Sequence, residues 1–395
     1  MKRRSLLVAT AALATNALLS ACSQTDTDAL KIELLANSFP PQLLRVFRQE
    51  LLTTQSCEFD SQEQMSELYA QLQRWVKVSA EPSSRWPIRS PIRRSTTPTP
   101  ADLVTLGDYW LTSAIQQALI RPFSAAQVQS WPELSPRWSE LVKRDRQGYL
   151  APAGEVWGVP YRWGSLALVY RDRPFESLGW QPQTWQDLWR PELRGKISLP
   201  NHPRIVIGLV LKQLAQSANS SNFAAFLPQL TASLQSLHRQ VKFYSSNHAL
   251  QALVSNDTWL AVGWTTDVLP VMQQYRQLRA AIPPSGTLLT ADVWVQPAGA
   301  IAETGSDVSP LSDLGQQWLA FCWRADVATQ LSLSTYGASP RFATRSDASL
   351  PPALRNHPLL LPGADIFAKS EFLQPLPTDS EQAYAQLWAE IRQSS

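Results

Sequence analysis

Five aromatic residues stand beside acids and glycines at what read as the ends of strands. They are Tyr109 and Trp110 in "LGDYWL", Trp163 in "VPYRWGS", Trp264 in "AVGWTTD" and Trp294 in "ADVWVQP". Strand ends of α/β proteins are where ligands are held, and a flat π face next to a carboxylate grips a small organic solute. Not every aromatic is available for this. The chain has 16 Trp, and Trp185 and Trp189, one helical turn apart, read as core.

The chemistry these residues offer is binding rather than bond-making. The closest glycines, Gly154 and Gly158, are four apart, so no G-x-G exists and neither a dinucleotide fingerprint nor a P-loop can be written. No nucleophile elbow is present. His202, His238, His248 and His357 show no H-x-x-x-H spacing and no neighbouring Cys, so no metal site is expected. No cofactor loop is visible, and the chain is not read as an enzyme. Beyond Cys22 only Cys57 and Cys322 remain, which leaves open one disulfide or two buried thiols.

The N-terminus indicates where such binding takes place. Lys2, Arg3 and Arg4 precede an Ala/Leu-rich run, Ser5 to Leu19, too short for a membrane span. Leu19-Ser20-Ala21-Cys22 then resembles a bacterial lipobox, which implies cleavage after residue 21, acylation of Cys22 and a tether over 22–30. The mature protein is expected outside the cytoplasm, lipid-anchored to the membrane. Residues 1–21 hold three basic groups and no acid, so the remaining chain is balanced at 32 Lys+Arg against 32 Asp+Glu. A neutral chain gives no charge signature for a nucleic-acid partner.

The elements that must position the aromatics alternate strand and helix. Ile32 to Leu35 reads as a strand, and Leu43, Leu44, Phe47 and Leu51 keep helical spacing behind Pro40 and Pro41. Met65, Leu68, Leu72 and Trp75 form a second helical stripe, followed by a buried strand in "ADLVTLG". Further on, Leu166 to Tyr170 is apolar on both faces. Thr184 and Asp187 make a near capping box that opens a short helix stopped by Pro191 and Gly195. "KISLP", "TWLAVGW" and "ADVWVQPAGA" read as strands and "RIVIGLVLKQLA" as an apolar helix. Repeated units of this kind predict an α/β protein with a mainly parallel sheet covered on both faces. Residues 77–100, dense in Pro, Ser and Arg, are expected to form a long surface loop.

The stretches "DLVTLGDYWLTSAIQQALIRPF", "VWGVPYRWGSLALVYR", "TWQDLWRPELRGKISLPNHPRIVIGLVLKQL", "LAVGWTTDV" and "ADVWVQPAGA" occur in the order and spacing of extracellular solute-binding proteins of ABC transporters. They most resemble the periplasmic spermidine/putrescine-binding proteins. The resemblance implies a two-lobed, type II periplasmic-binding-protein fold with the ligand cleft between lobes and hinge closure. It places an N-terminal lobe at 31–160 plus 291–335 and a C-terminal lobe at 161–290 plus 336–395. It implies a monomer that captures a polyamine-like cationic solute and hands it to a membrane permease. A sensory or structural lipoprotein on the same fold, or a receptor for a less cationic solute, stays open.

A polyamine site needs carboxylates for its ammonium groups and flat walls for its methylenes, and a cation over an aromatic face gains about 0.5–2 kcal/mol. Carried over by motif, Tyr109 matches a ligand tyrosine, Trp264 a stacking tryptophan and Asp292 the amine-binding aspartate; Asp108 is a second acid placed to meet an amine. Trp163 and Trp294 are further wall candidates. Departures are equally specific. His202 and Ile205 stand where the family has acids, Ser38 and Phe39 replace a larger aromatic and hydroxyl cluster, Thr290 replaces a tryptophan, and Tyr336 substitutes for a tyrosine expected near Ala338. Losing acids favours a ligand with fewer positive charges, or one held through Asp108, Glu155 and Asp267.

Overall fold

The computed structural model describes residues 29–51, 55–80, 100–124, 135–221, 223–246, 248–298, 311–343 and 350–393. The expected signal segment, Cys22 and most of the 77–100 stretch lie outside them. Eight strands lie side by side in the order Cys57–Gln62, Leu30–Leu35, Leu103–Gly107, Leu288–Pro297, Val159–Arg171, Leu260–Trp264, Ile197–Leu199, Val241–Tyr244. The outer pairs are parallel, as βα units require, while the two central strands run antiparallel to each other and to neighbours on either side.

Local sequence accounts for the elements. The helix Pro41–Glu50 starts with proline in its first turn and buries Leu43 and Phe47, one turn apart. Leu68, Leu72 and Trp75 turn inward from the helix Met65–Ala80. That helix runs past Lys77 to Ala80, so the first residues of the expected 77–100 loop are helical, and 81–99 lie outside the described residues. Asp187 caps the 3-10 turn Trp185–Trp189 by accepting hydrogen bonds from the backbone N–H of Gln183 (3.0 Å) and Thr184 (2.9 Å).

Buried side chains separate into two main cores. Among the described residues the chain crosses between them along three segments, and Leu269 of the helix Thr265–Gln274 also reaches into the first core. On the long strand Val159–Arg171, Trp163 belongs to the first core and Leu166 to the second; on the returning strand Leu288–Pro297, Leu288 belongs to the second and Leu289 to the first. The last passage falls between Phe372 and Leu373. Residues 336–343 and 350–372 therefore pack in the first core, not in the second as expected. Ala338, Phe342, Leu354, Leu361 and Phe367 fill it, and only the stretch ending in the helix Thr378–Gln393 returns to the second core. The strand at Leu30 likewise begins inside the expected tether.

Trp138, Trp163, Trp185, Trp294 and Trp318 are among the largest fully buried side chains, and truncating such a ring typically costs about 3–5 kcal/mol. Cys57 and Cys322 are both buried free thiols. Among the described residues no helix is long and apolar enough to cross a membrane.

Candidate binding cleft between the two cores

The crossing strands bring the functional candidates together. Asp292 on the returning strand lies opposite Arg162 on the outgoing one, at a register shift between Asp292 and Val293. Both Nε and a terminal nitrogen of Arg162 reach the same carboxylate oxygen, Oδ2, at 2.7 and 2.6 Å. The pair is nearly buried, its side chains 8% and 13% exposed. Burial disfavours the guanidinium charge, and Asp292 more than restores it, so the Arg162 pKa lies above its ordinary value.

Asp108 follows the neighbouring strand, and its Oδ1 accepts from the backbone N–H of Ala291 (2.9 Å) and from Thr290 Oγ1 (3.2 Å). It thereby fixes the residue before Asp292. Desolvation pushes its carboxyl up to about 6, against the Ala291 hydrogen bond and the Arg144 charge, which pull it down. The folded chain thus holds this proton more tightly than the unfolded chain, whose carboxyl titrates near 3.8. Stability attributable to Asp108 should be greatest below pH 4 and fall as pH rises to about 6, by on the order of 2–3 kcal/mol. Thermal unfolding of Asp108→Asn over that range should show a flatter pH dependence than the parent, because the amide oxygen still accepts both hydrogen bonds and carries no charge.

Tyr109, next to Asp108 in the 3-10 turn Asp108–Trp110, is one of two large hydrophobic side chains left exposed among the described residues, at 43%. Its ring meets the imidazole of His202 edge-on at 4.9 Å. His202 immediately precedes the helix Pro203–Gln213 of the second core, so this contact spans the cleft. Desolvation, then the charge of Arg204, lowers the His202 pKa and keeps the ring neutral at neutral pH. Arg204 is 6% exposed, bonds Asn219 Oδ1 and the Gln374 carbonyl, and leaves Nη1 without a partner.

Trp264 ends its strand half-buried, immediately before the helix Thr265–Gln274. That helix is pinned to the outgoing crossing strand, since Thr265 Oγ1 accepts from the Ser165 backbone N–H at 3.0 Å. Asp267 in its first turn is exposed, yet desolvation raises its pKa, Arg162 lowers it and Asp292 adds to the rise. Asp267 is thus an accessible carboxylate that also feels the buried Arg162–Asp292 pair. Asp108, Tyr109, Asp292 and Asp267 therefore share one neighbourhood at the junction of the cores.

Other expected site residues are packing elements here. Phe39, 4% exposed, leans on Trp318 at 4.8 Å between ring centres, and Trp294 stacks on Tyr161 at 4.3 Å. Ser38 accepts from the Tyr161 hydroxyl at 2.9 Å. Trp163 donates from Nε1 to the carbonyls of Ser339 and Phe342, both 3.3 Å away. Trp163 and Trp294 are sealed because the crossing strands are covered on both faces in the first core, and Ser38 and Phe39, which follow the strand Leu30–Leu35, are buried against Tyr161 and Trp318. Tyr336 is half-buried and takes a left-handed backbone, φ 55°, after the helix Ala325–Thr335. Glu155 makes an ion pair with Arg146 at 3.8 Å, on the two-stranded flap it shares with Lys143–Arg144.

Arg162 was not among the sequence candidates, although one signal pointed to it. It is the sole charge between Glu155 and Arg171, in a run that reads as buried on both faces, and such a charge requires a partner.

Residues 99–370 match the family of bacterial extracellular solute-binding proteins. The putrescine-binding periplasmic protein PotF of Escherichia coli (strain K12) is 23% identical over 74% of this chain and 78% of its own length. A spermidine/putrescine-binding periplasmic protein of Salmonella typhimurium is 22% identical over 98% and 97%. Among solved structures, the spermidine/putrescine ABC transporter substrate-binding protein PotD from Streptococcus pneumoniae aligns with a TM-score of 0.72 at 18% identity, covering 93% of this chain and 99% of that one.

Proposed function

This chain belongs to the bacterial extracellular solute-binding proteins, and on that premise we propose that it is the solute-capturing component of an ABC importer, taking an amine-bearing solute of the polyamine kind. It works outside the cytoplasmic membrane as a monomer, held there by an acyl group on Cys22, and passes its load to a permease without chemical change. The observation that carries this reading is the position of Asp292. Its carboxylate lies on the returning crossing strand where the two cores meet, beside Asp108 and within the field of Asp267. Tyr109 and Trp264 stand on the two sides of that junction as flat walls for a methylene chain and its ammonium. Closure then changes the distance between the walls while the crossing strands keep the carboxylate in place.

A tryptophan-fluorescence titration of the chain lacking residues 1–22 tests this, with putrescine, spermidine, spermine, amino acids, sugars and inorganic anions. A saturable change with an amine-bearing solute is expected. Trp264→Ala should weaken it about 3- to 30-fold, the value of a cation resting on an aromatic face. An undiminished affinity in that variant would remove Trp264 from the site, and silence across all solutes would sink the receptor reading.

A further inference from the structure

The floor of the cleft carries its own cation. Arg162 occupies Oδ2 of Asp292 through two nitrogens, and among the described residues Asp292 Oδ1 and the other terminal nitrogen of Arg162 have no partner. A solute reaching this floor therefore meets one free anionic acceptor and one free cationic donor side by side. The backbone is shaped to keep the arginine there. A methyl group at Gly337 would stand 2.2 Å from Arg162 Cγ and 2.4 Å from Cδ, so a residue without a side chain is needed for the guanidinium stem to pass.

The opposite wall is not rich in acids: Glu381, in the first turn of the helix Thr378–Gln393, is the one whose charge is felt at both Tyr109 and Arg204. His202 is neutral, Ile205 is apolar, and Arg204 brings a buried guanidinium whose charge is felt at the Tyr109 hydroxyl. A second ammonium would have to lie against a neutral ring or one of two arginines, with the Asp267 carboxylate and a Glu381 that already acts on Arg204 to offset them.

We propose that Arg162 is a specificity-determining residue, and that the solute is a short zwitterion, an amine that also carries a carboxylate, rather than a diamine or triamine. The ammonium takes Asp292 Oδ1 between the aromatic walls, and the carboxylate takes the free donor of Arg162. This rests on the cleft being an amine-binding site, as proposed above. A guanidinium is suited to the role because its planar fork holds one carboxylate with two nitrogens while offering another to a second.

Putrescine and 4-aminobutanoate have similar length and differ in the charge of one end. Calorimetric titration of the chain lacking residues 1–22 should show 4-aminobutanoate binding at least tenfold more tightly than putrescine. Arg162→Gln should reverse that order, and Arg162→Lys, which keeps the charge, should preserve it. Circular dichroism checks that both variants fold; if Arg162→Gln does not, the comparison in the parent chain decides alone. Putrescine binding as tightly as 4-aminobutanoate or more so in the parent overturns the inference and leaves the amine receptor intact. Failure of both solutes, with spermidine, spermine and longer aminocarboxylates also silent, overturns the amine site itself and the inference with it.

Discussion

Replacing Asp292 with Asn is expected to destabilise the folded chain by about 3–5 kcal/mol and to weaken capture of an amine-bearing solute by about 30- to 100-fold. The stability loss comes from Arg162. Its guanidinium, 8% exposed, has Asp292 as its only ion-pair partner among the described residues, and removing that charge leaves a cation in a desolvated site. The affinity loss comes from replacing a charged acceptor with a neutral one at the place where the ammonium is matched. A double-mutant cycle separates the two effects. Arg162→Gln combined with Asp292→Asn should regain most of the stability, because the orphaned charge is gone, and should not regain the affinity. Unfolding midpoints in denaturant and calorimetric titration measure the two quantities. A single Asp292→Asn variant as stable as the parent would show that the ion pair contributes little.

Gly286→Ala should be strongly damaging although it lies outside the cleft. Gly286 has φ +90°, a conformation that costs an L side chain, and an added Cβ would lie 2.3 Å from the Lys369 carbonyl oxygen and 2.5 Å from its carbon. Neither atom can yield, since both are backbone. The turn is tied down further, with the Trp185 indole donating to the Gly286 carbonyl at 2.9 Å and Ser370 Oγ accepting from the Thr287 N–H at 3.0 Å. We expect a loss of at least about 3 kcal/mol, a drop of several degrees in Tm by scanning calorimetry. The consequence reaches function. Gly286 leads into the strand that carries Asp292, and Ser370 precedes the last passage between cores, so a displaced turn shifts two of the connections between the cores. A variant with parental Tm would show that the turn can rearrange at little cost.

Much of this arrangement was readable in the sequence, for identifiable reasons. Helices with a regular apolar stripe, such as Met65–Ala80, and strands with uninterrupted apolar runs, such as Val159–Arg171, announce themselves through periodicity. Residues 336–372 carry no such period. Their short helices Pro352–Arg355 and Ala364–Lys369 are separated by prolines and turns, so nothing in their pattern says which core they fill.

The site divides the same way. Tyr109 and Trp264 are candidates by motif because they lie where strands end, and Asp292 because it sits in the motif of the returning strand. Trp163 and Trp294 look the same in sequence, and only the covering of both strand faces shows that they are core. Arg162 escaped notice because its importance is relational. An arginine in "VPYRWG" becomes informative once strand register sets it opposite Asp292. Ion pairs between strands 130 residues apart have no local signature.

The central claim is that the junction of the two cores captures an amine-bearing solute. Isothermal calorimetry on the chain lacking residues 1–22 tests it most directly, with diamines, triamines and aminocarboxylates titrated alongside sugars and inorganic anions. One saturable site per chain is predicted for an amine-bearing solute, with none for the sugars or anions. Saturable binding of a sugar or an anion, with every amine silent, would contradict it.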